Sequence, residues 1–362
     1  ITCRDWSSDV CSSDLLEKQY EGEPLLRGVS FDVAANETIC LLGQSGGGKS
    51  TILRLIAGLE TAESGEIKWD GQSVLPIPAH QRHFGLMFQD YALFPHLNVF
   101  ENVAFGLRVI DMERDAVDVR VSEVLKIVGM DGFRDRSVID LSGGEKQRVA
   151  FARAIAPWPK MLMLDEPMGA LDRTLRDQLL NDLRELLSVT DIPVIYVTHD
   201  LEEAFAIADR LLILHQGRIV QAGNPEAVFS RPASIWVASF FGLNNQLSGV
   251  VSSLDPLSIE TAIGVLHPGC GCGGLLHGTP VELLIRDAFI GQDVPATPNL
   301  FAARVIAVRF LGRDYQVRLR ISDIFDLTFP SANALQVGEH IQVSIAPESI
   351  LCYREGQLHE NC

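Results

Sequence analysis

The sequence predicts an α/β core followed by a small all-β unit, and three observations carry that expectation. A strand-length apolar run, Thr38-Ile39-Cys40-Leu41-Leu42, leads through a glycine-rich loop into a segment of helical period. A second run, Met161-Leu162-Met163-Leu164, ends in Asp165-Glu166-Pro167, as a buried parallel strand does when it delivers its end to a ligand site. From about Leu243 the helical period gives way to short alternating runs. Arg304-Val305-Ile306-Ala307-Val308 and Tyr315-Gln316-Val317-Arg318-Leu319-Arg320-Ile321 are two of them, punctuated by Gly and Pro. That is the pattern of a separate barrel-like or sandwich-like domain, with its boundary expected at residues 240–245. The 362 residues leave room for two or three domains of roughly 150 residues.

Composition narrows the function classes. Hydrophobic residues make up 47% and charged ones 21%, which is ordinary for a globular chain and excludes a disordered one. A net charge of −17 repels phosphate backbones, so no nucleic-acid partner is expected. An anionic membrane surface would not attract the chain by charge either. No stretch reaches the run of about 18 apolar residues that a membrane span needs, so membrane work would require a partner. Seven cysteines without a small-scaffold spacing suit a reducing compartment. Residues 1–15 repeat Ser-Ser-Asp and have neither the basic nor the apolar region of a signal peptide. They look like a translated adapter or assembly scar, and are expected to be non-native or disordered, Cys3 and Cys11 included.

The loop after the first strand, Gly43-Gln44-Ser45-Gly46-Gly47-Gly48-Lys49-Ser50-Thr51, satisfies G-x-x-x-x-G-K-[ST]. Its glycines let backbone N–H groups turn inward around phosphate oxygens without Cβ interference. Lys49 is placed to reach the β- and γ-phosphates and the Ser50 hydroxyl to hold Mg²⁺. Ile52, Leu55, Ile56 and Leu59 recur at helical spacing, so one helix face should be apolar, with the N-terminus beneath the anion. A strand before and a helix after are what separate this motif from a glycine-rich turn with no ligand.

At the second strand end, Asp165 and Glu166 point to opposite faces and so should have different jobs. Asp165 suits the Mg²⁺ shell, and Glu166 suits the polarisation of an attacking water. Alone, the pair would also read as a strand-ending turn. Just upstream, Leu141-Ser142-Gly143-Gly144-Glu145 leads into a helix expected over residues 149–155.

With that segment in place, the chain resembles an ATP-binding cassette (ABC) ATPase over about residues 16–240. The family's signature usually reads LSGGQ, so Glu145 departs at its last position. The resemblance implies a P-loop NTPase core with a helical subdomain at about residues 90–160, and it assigns further residues by motif. Gln89 in Phe88-Gln89-Asp90 resembles the Q-loop glutamine that contacts Mg²⁺ or the attacking water. Asp172 in Gly169-Ala170-Leu171-Asp172 resembles the D-loop, and His199 in Thr198-His199-Asp200 the switch histidine that meets the γ-phosphate. Tyr20 resembles the aromatic residue that stacks on adenine. In the family, ATP on one subunit is covered by the signature of another. The resemblance therefore implies a homodimer in which Leu141, Ser142, Gly143, Gly144 and Glu145 act on the nucleotide of the second subunit.

The aromatic stretch at residues 88–107 could be simple core. It is also similar to the stretch that forms a groove for the permease's coupling helix in importers of Fe(III), polyamines, quaternary amines, thiamine, sulfate, molybdate and maltose. Residues 243–362 resemble the OB-like accessory domain called TOBE through segments 281–287, 309–312 and 343–348, although Asp287-Ala288 stands where Pro-Glu is usual. Cys270 and Cys272, between His267 and His277, could ligate a metal, but a glycine-rich loop explains them better.

The resemblance implies an energy-coupling ATPase subunit of an importer. It would work with ATP and Mg²⁺ at the cytoplasmic face of the membrane, as a peripheral protein. Its partners would be integral membrane permease subunits and, through them, an extracellular substrate-binding protein, with Fe(III), a polyamine or a quaternary amine as cargo. A non-transport ABC ATPase of repair or translation is the competing reading. Repair types carry a long coiled coil between phosphate loop and signature, and the stretch from Gly48 to Leu141 has no heptad run. Translation types carry two cassettes, whereas one is present here. A nucleotide kinase or GTPase would leave the signature and His199 unexplained. An exporter cassette would usually be fused to membrane spans or lack the terminal β domain.

Overall fold

Apolar runs without polar alternation need a sheet covered on both sides, and the first part of the chain builds one. In the computed structural model, which describes residues 9–168, 173–188, 192–269, 271, 274–322 and 324–359, the chain divides into two units, Ile1–Val228 and Phe229–Cys362.

The first unit begins with β1 (Asp9–Tyr20), β2 (Glu23–Ala34), β3 (Thr38–Gly43) and α1 (Lys49–Ala57). Then come β4 (Ser64–Trp69), β5 (Gln72–Ser73), α2 (Ala79–Arg82) and β6 (Phe84–Met87). The helical segment comprises α3 (Val99–Val109), α4 (Arg114–Ile127) and α5 (Gly143–Ile155). The chain returns through β7 (Met161–Asp165), α6 (Arg173–Ser188), β8 (Val194–Thr198), α7 (Leu201–Ile207), β9 (Arg210–His215), β10 (Arg218–Gly223) and α8 (Pro225–Ser230). Strands β9, β3, β8, β7 and β6 pair in parallel, and β10 joins β9 antiparallel at the edge. A second, antiparallel sheet has the order β2-β1-β4-β5. Leu26, Val29, Ile39, Leu41, Ile52, Leu55, Ile56 and Ile67 form one core that joins this sheet, α1 and the parallel sheet. The C-terminal ends of β3, β7 and β8 thus lie side by side, where α/β sheets bind ligands.

Two expectations change here. Asp9–Leu15 do not stand outside the fold. They form the first part of β1, with Cys11 and Ser13 buried and paired to both β2 and β4. Alternation of Cys11 and Ser13 inward suffices for a strand, whatever the origin of the residues. Leu59 is not on the apolar face of α1, for the helix stops at Ala57. Gly58 adopts a left-handed φ of 77° and donates its N–H to Arg54 and Leu55 carbonyls, a glycine C-cap. The buried Arg82 guanidinium takes the Leu55 and Ile56 carbonyls at 3.0 and 2.7 Å, and Leu59, past the cap, is exposed.

Arg210 fastens β9 to β2 and to the turn that follows it. Its guanidinium donates to Glu37 Oε1 at 2.7 Å and to Asp32 Oδ2 at 2.9 Å, and both carboxylates are largely covered. Arg210→Ala would leave two carboxylates facing each other without their cation. It is expected to lower stability by about 2–3 kcal/mol, read as a lower midpoint in chemical denaturation.

The second unit contains α9 (Ile235–Phe240) and β11 (Gln246–Leu254), β12 (Leu257–Thr261), β13 (Gly264–Leu266), β14 (Pro280–Ile285) and β15 (Phe289–Gly291). It continues with β16 (Asn299–Phe310), β17 (Tyr315–Ile321), β18 (Phe325–Ser331), β19 (His340–Ile345), β20 (Ile350–Arg354) and β21 (Gln357–Leu358). The strands form two antiparallel sheets, β13-β12-β11-β14-β20-β21 and β15-β19-β16-β17-β18, whose inner faces share a core that includes Val251, Ile259, Leu283, Val305, Val317, Leu327 and Val343. The boundary falls earlier than residues 240–245. Ala238 of α9 packs with Leu284, Leu351 and Tyr353, the Tyr353 hydroxyl donates to Pro232 O at 3.1 Å, and Leu358 N donates to Ala233 O at 2.9 Å. One short helix held by distant strands leaves no shift in local composition. Cys270 and Cys272 lie outside the described residues, and His267 Nδ1 meets the Ser258 hydroxyl at 3.1 Å.

Candidate functional site

The phosphate-type loop is shaped by close approach. A Cβ on Gly43 would come within 2.6 Å of Leu214 O, and Gly46 and Gly48 hold left-handed φ values of 75° and 100°, which favour glycine. Gln44 and Ser45 are exposed at the turn, and Gly47 N donates to Gln44 O at 3.1 Å, while Thr51 is buried in α1. Lys49 sits inside the loop, its ammonium donating to Gly43 O at 2.9 Å and Gln44 O at 3.0 Å. Burial pulls its pKa down, and the nearby Glu166 and Asp165 carboxylates act in the opposite direction. The N-terminus of α1 has no side-chain cap and no acidic residue in its first turn. A helix N-terminus without a side-chain cap, beside a partly desolvated cation, suits an anion.

Beside it, the Ser50 hydroxyl donates to Asp165 Oδ1 at 2.9 Å. Burial raises the Asp165 pKa; the Ser50 hydrogen bond opposes this and Glu166 adds to it. Two hard oxygens side by side fit Mg²⁺, which takes one or two protein ligands and fills its octahedron with phosphate and water. Among the described residues no group of three or more His, Cys, Asp or Glu could hold a metal by itself. Two protein oxygens suit an ion that arrives with its phosphates.

Glu166 follows β7 at a left-handed φ of 44°, a strained geometry of the kind found at functional sites. Its N–H donates to Val197 O of β8 at 2.9 Å. One carboxylate oxygen, Oε2, accepts the Gln89 amide at 3.0 Å, and the other, Oε1, lies 3.2 Å from His199 Nδ1. Three residues from three distant segments thus meet at one carboxylate. Gln89, expected as a contact to Mg²⁺ or water, is tied here to Glu166. Just past Gln89, Tyr91 and Ala92 both have positive φ. Arg153 of α5 holds their carbonyls at 2.7 Å each, and the Tyr91 hydroxyl donates to Pro167 O at 3.3 Å.

The signature segment forms a helix earlier than expected. α5 starts at Gly143, because Ser142 is its N-cap and Glu145 completes a capping box. Glu145 Oε2 accepts Ser142 N at 2.7 Å and the Ser142 hydroxyl at 2.8 Å, and these bonds hold its carboxyl below the usual range. Leu141 is buried and anchors the segment. Tyr20 is half-exposed at the end of β1, with its hydroxyl on Glu60 and Lys18 Nζ 5.3 Å from its ring centre. Asp172 lies outside the described residues.

An open cavity of about 510 Å³ is lined by Phe84, Leu86, Phe88, Phe94, Phe105, Val109 and Pro157, among others. The aromatic stretch is thus partly surface, with Phe105 45% exposed. Buried Asn102 braces its wall by donating to the Phe94, Leu97 and Asn98 carbonyls.

Sequence reasoning did not single out Thr198 and Glu203. The Thr198 hydroxyl donates to Glu203 Oε2 at 2.8 Å behind His199. Asp200 three places before Glu203 has the spacing of a capping box, a signal that could have drawn attention to Glu203.

A family model described as "ABC transporter" matches residues 26–169. The chain is 37% identical over 335 residues to the spermidine/putrescine import ATP-binding protein PotA of Spiroplasma citri, an alignment that covers 92% of this chain and 95% of the relative. It is 48% identical over 301 residues to the Fe(3+) ions import ATP-binding protein FbpC of Streptomyces avermitilis, with 83% and 87% covered. Among solved structures it is similar to cbiO1 of Clostridium perfringens, described as part of the ABC transporter complex cbiONQ. That likeness has a TM-score of 0.57 at 29% identity and covers 62% of this chain and 92% of the other.

Proposed function

The chain belongs to the ABC transporter family, among the ATP-binding subunits of import systems, and from that premise we propose that two copies clamp MgATP between them and drive a separate permease. The observation that carries this reading is the Glu166 carboxylate, held by Gln89 and His199 beside a loop built for phosphate. Gly43 to Thr51 cradle the phosphates, with Lys49 on the β- and γ-phosphates. Tyr20 stacks on adenine. Ser50 and Asp165 would hold Mg²⁺, and Gln89 would contact that ion or the attacking water. The ion, when bound, supplies charge neutralisation of the phosphate oxygens. Glu166 takes the proton from the attacking water, and His199 donates to the γ-phosphate.

From the second copy, Ser142 and the N–H groups of Gly143 and Gly144 face the γ-phosphate, flanked by Leu141 and Glu145, and α5 adds its dipole. Asp172 belongs to the segment that resembles the D-loop. Hydrolysis removes the contacts that favour the closed dimer, which then opens. The cavity at Phe94 and Phe105 supports a seat for a helix of an integral membrane permease, and the chain then works as a peripheral protein at the cytoplasmic face. The permease receives cargo from an extracellular binding protein. The names of the relatives favour a polyamine or Fe(III) as that cargo. The acidic net charge gives no support to a nucleic-acid role.

Uptake measurements test this reading. A strain lacking the chain should lose energy-dependent uptake of labelled spermidine or of labelled Fe(III), and wild-type chain should restore it. Phe105→Asp places a charge in the groove. It is expected to restore less than about a tenth of the uptake, since a buried unpaired charge costs several kcal/mol, while MgATP hydrolysis by the purified subunit stays within about twofold. Unchanged uptake of both cargoes in the deletion strain would contradict the assignment of a polyamine or Fe(III) as cargo.

A further inference from the structure

The turn that carries His199 is held by groups the mechanism above does not use. The His199 side chain is 56% exposed, so the backbone of its turn sets where the ring points. That backbone is gripped from α7. Glu203, 3% exposed, accepts at Oε2 the hydroxyl protons of Thr198 at 2.8 Å and Tyr196 at 2.9 Å. The Thr198 hydroxyl, its proton committed to Glu203, accepts the N–H of Asp200 at 3.0 Å. Asp200 Oδ1 accepts the N–H groups of Glu202 at 2.8 Å and Glu203 at 3.2 Å. The bonds therefore run from β8, across the residue on either side of His199, into the first turn of α7 and back to β8.

This arrangement is more than a helix cap. A cap needs only the Asp200 carboxylate. Tyr196 and Thr198 are buried, at 0% and 2% exposure, and a carboxylate placed among them costs desolvation that a cap alone would not require. What Glu203 adds is direction. It sets the Thr198 hydroxyl so that its lone pair meets Asp200 N, which closes the turn around His199 and leaves His199 Nδ1 3.2 Å from Glu166.

We propose that Glu203 is a positioning residue for the reaction: through Thr198 it holds the His199 ring at the Glu166 carboxylate. The inference rests on His199 acting at the γ-phosphate. Removing the Glu203–Thr198 bond lets the ring drift from the position it must occupy in the transition state. The nucleotide remains held by the loop around Lys49. Turnover falls and affinity does not, because only an interaction made in the transition state is lost.

The test compares His199→Ala, Thr198→Val, Thr198→Ser and Glu203→Gln in purified full-length protein by kcat, KM for MgATP and thermal midpoint. Thr198→Val keeps the side-chain shape and removes the hydroxyl. It and Glu203→Gln are each expected to lower kcat at least about fivefold with KM within about twofold, and Thr198→Ser to recover most of the loss. If Glu203→Gln does not fold, the Thr198 pair decides alone. Wild-type kcat in Thr198→Val, a KM that rises in step with the fall in kcat, or a Thr198→Ser as impaired as Thr198→Val would each overturn the proposal. Wild-type kcat in His199→Ala would instead remove its premise, the role of His199 itself.

Discussion

Replacing Glu166 with glutamine is expected to lower kcat for MgATP hydrolysis by about 10²–10⁴-fold, the range for loss of a positioned general base, with nucleotide affinity nearly unchanged. Glutamine keeps the size of the side chain and so adds no strain at the left-handed φ of 44°. Its oxygen can still accept the Gln89 amide, and its NH₂ can face His199 Nδ1. The constellation keeps its shape and loses only the group that accepts a proton. With hydrolysis blocked, the γ-phosphate contacts persist, and size-exclusion chromatography in MgATP should show a particle of two copies that wild type forms only transiently. Phosphate release at the wild-type rate in this variant would remove Glu166 from the proton-accepting role. A monomer in saturating MgATP would remove the two-copy clamp.

Lys49→Ala is expected to act at the earlier step. A charge-assisted hydrogen bond is worth about 1.5–3 kcal/mol, so the dissociation constant for ATP should rise roughly 10- to 150-fold. The melting temperature without nucleotide, where the bonds to Gly43 O and Gln44 O are lost, sets the baseline for the variant. ATP stabilises the folded chain by mass action, and at a concentration that saturates wild type the variant should lose most of that gain. The readouts separate the two variants: Glu166→Gln keeps the ATP-induced rise in melting temperature and loses turnover, whereas Lys49→Ala loses the rise. A Lys49→Ala protein that ATP stabilises as well as wild type would contradict the assignment of the loop.

Local signals were legible. The run before Gly43, the glycine loop and the run before Asp165 read as two buried strands that end at a phosphate site, and these strands are β3 and β7. Each signal depends only on residues within a few positions, where periodicity and glycine content act directly on the backbone. The alternating segment at residues 315–321 reads in the same way and is β17. End points were less legible. The stop of α1 at Ala57 rests on the Gly58 cap together with Arg82, and the start of α5 at Gly143 on the Ser142 cap together with the fold-back of Glu145.

The sequence by itself determined the class of fold, the order of the motifs and the chemistry each can perform, because strand period, glycine loops and acidic strand ends are properties of short segments. Only the tertiary structure decided which side chains meet. Ser50 reaches Asp165 across 115 positions and Gln89 reaches Glu166 across 77, and neither bond exists until the parallel sheet brings its strand ends together. The same holds for Glu203 under His199 and for the helix at residues 235–240, which belongs to the second unit. In each case the deciding partner is distant along the chain, and hydrogen-bond geometry and burial, which choose that partner, exist only once the sheets have closed.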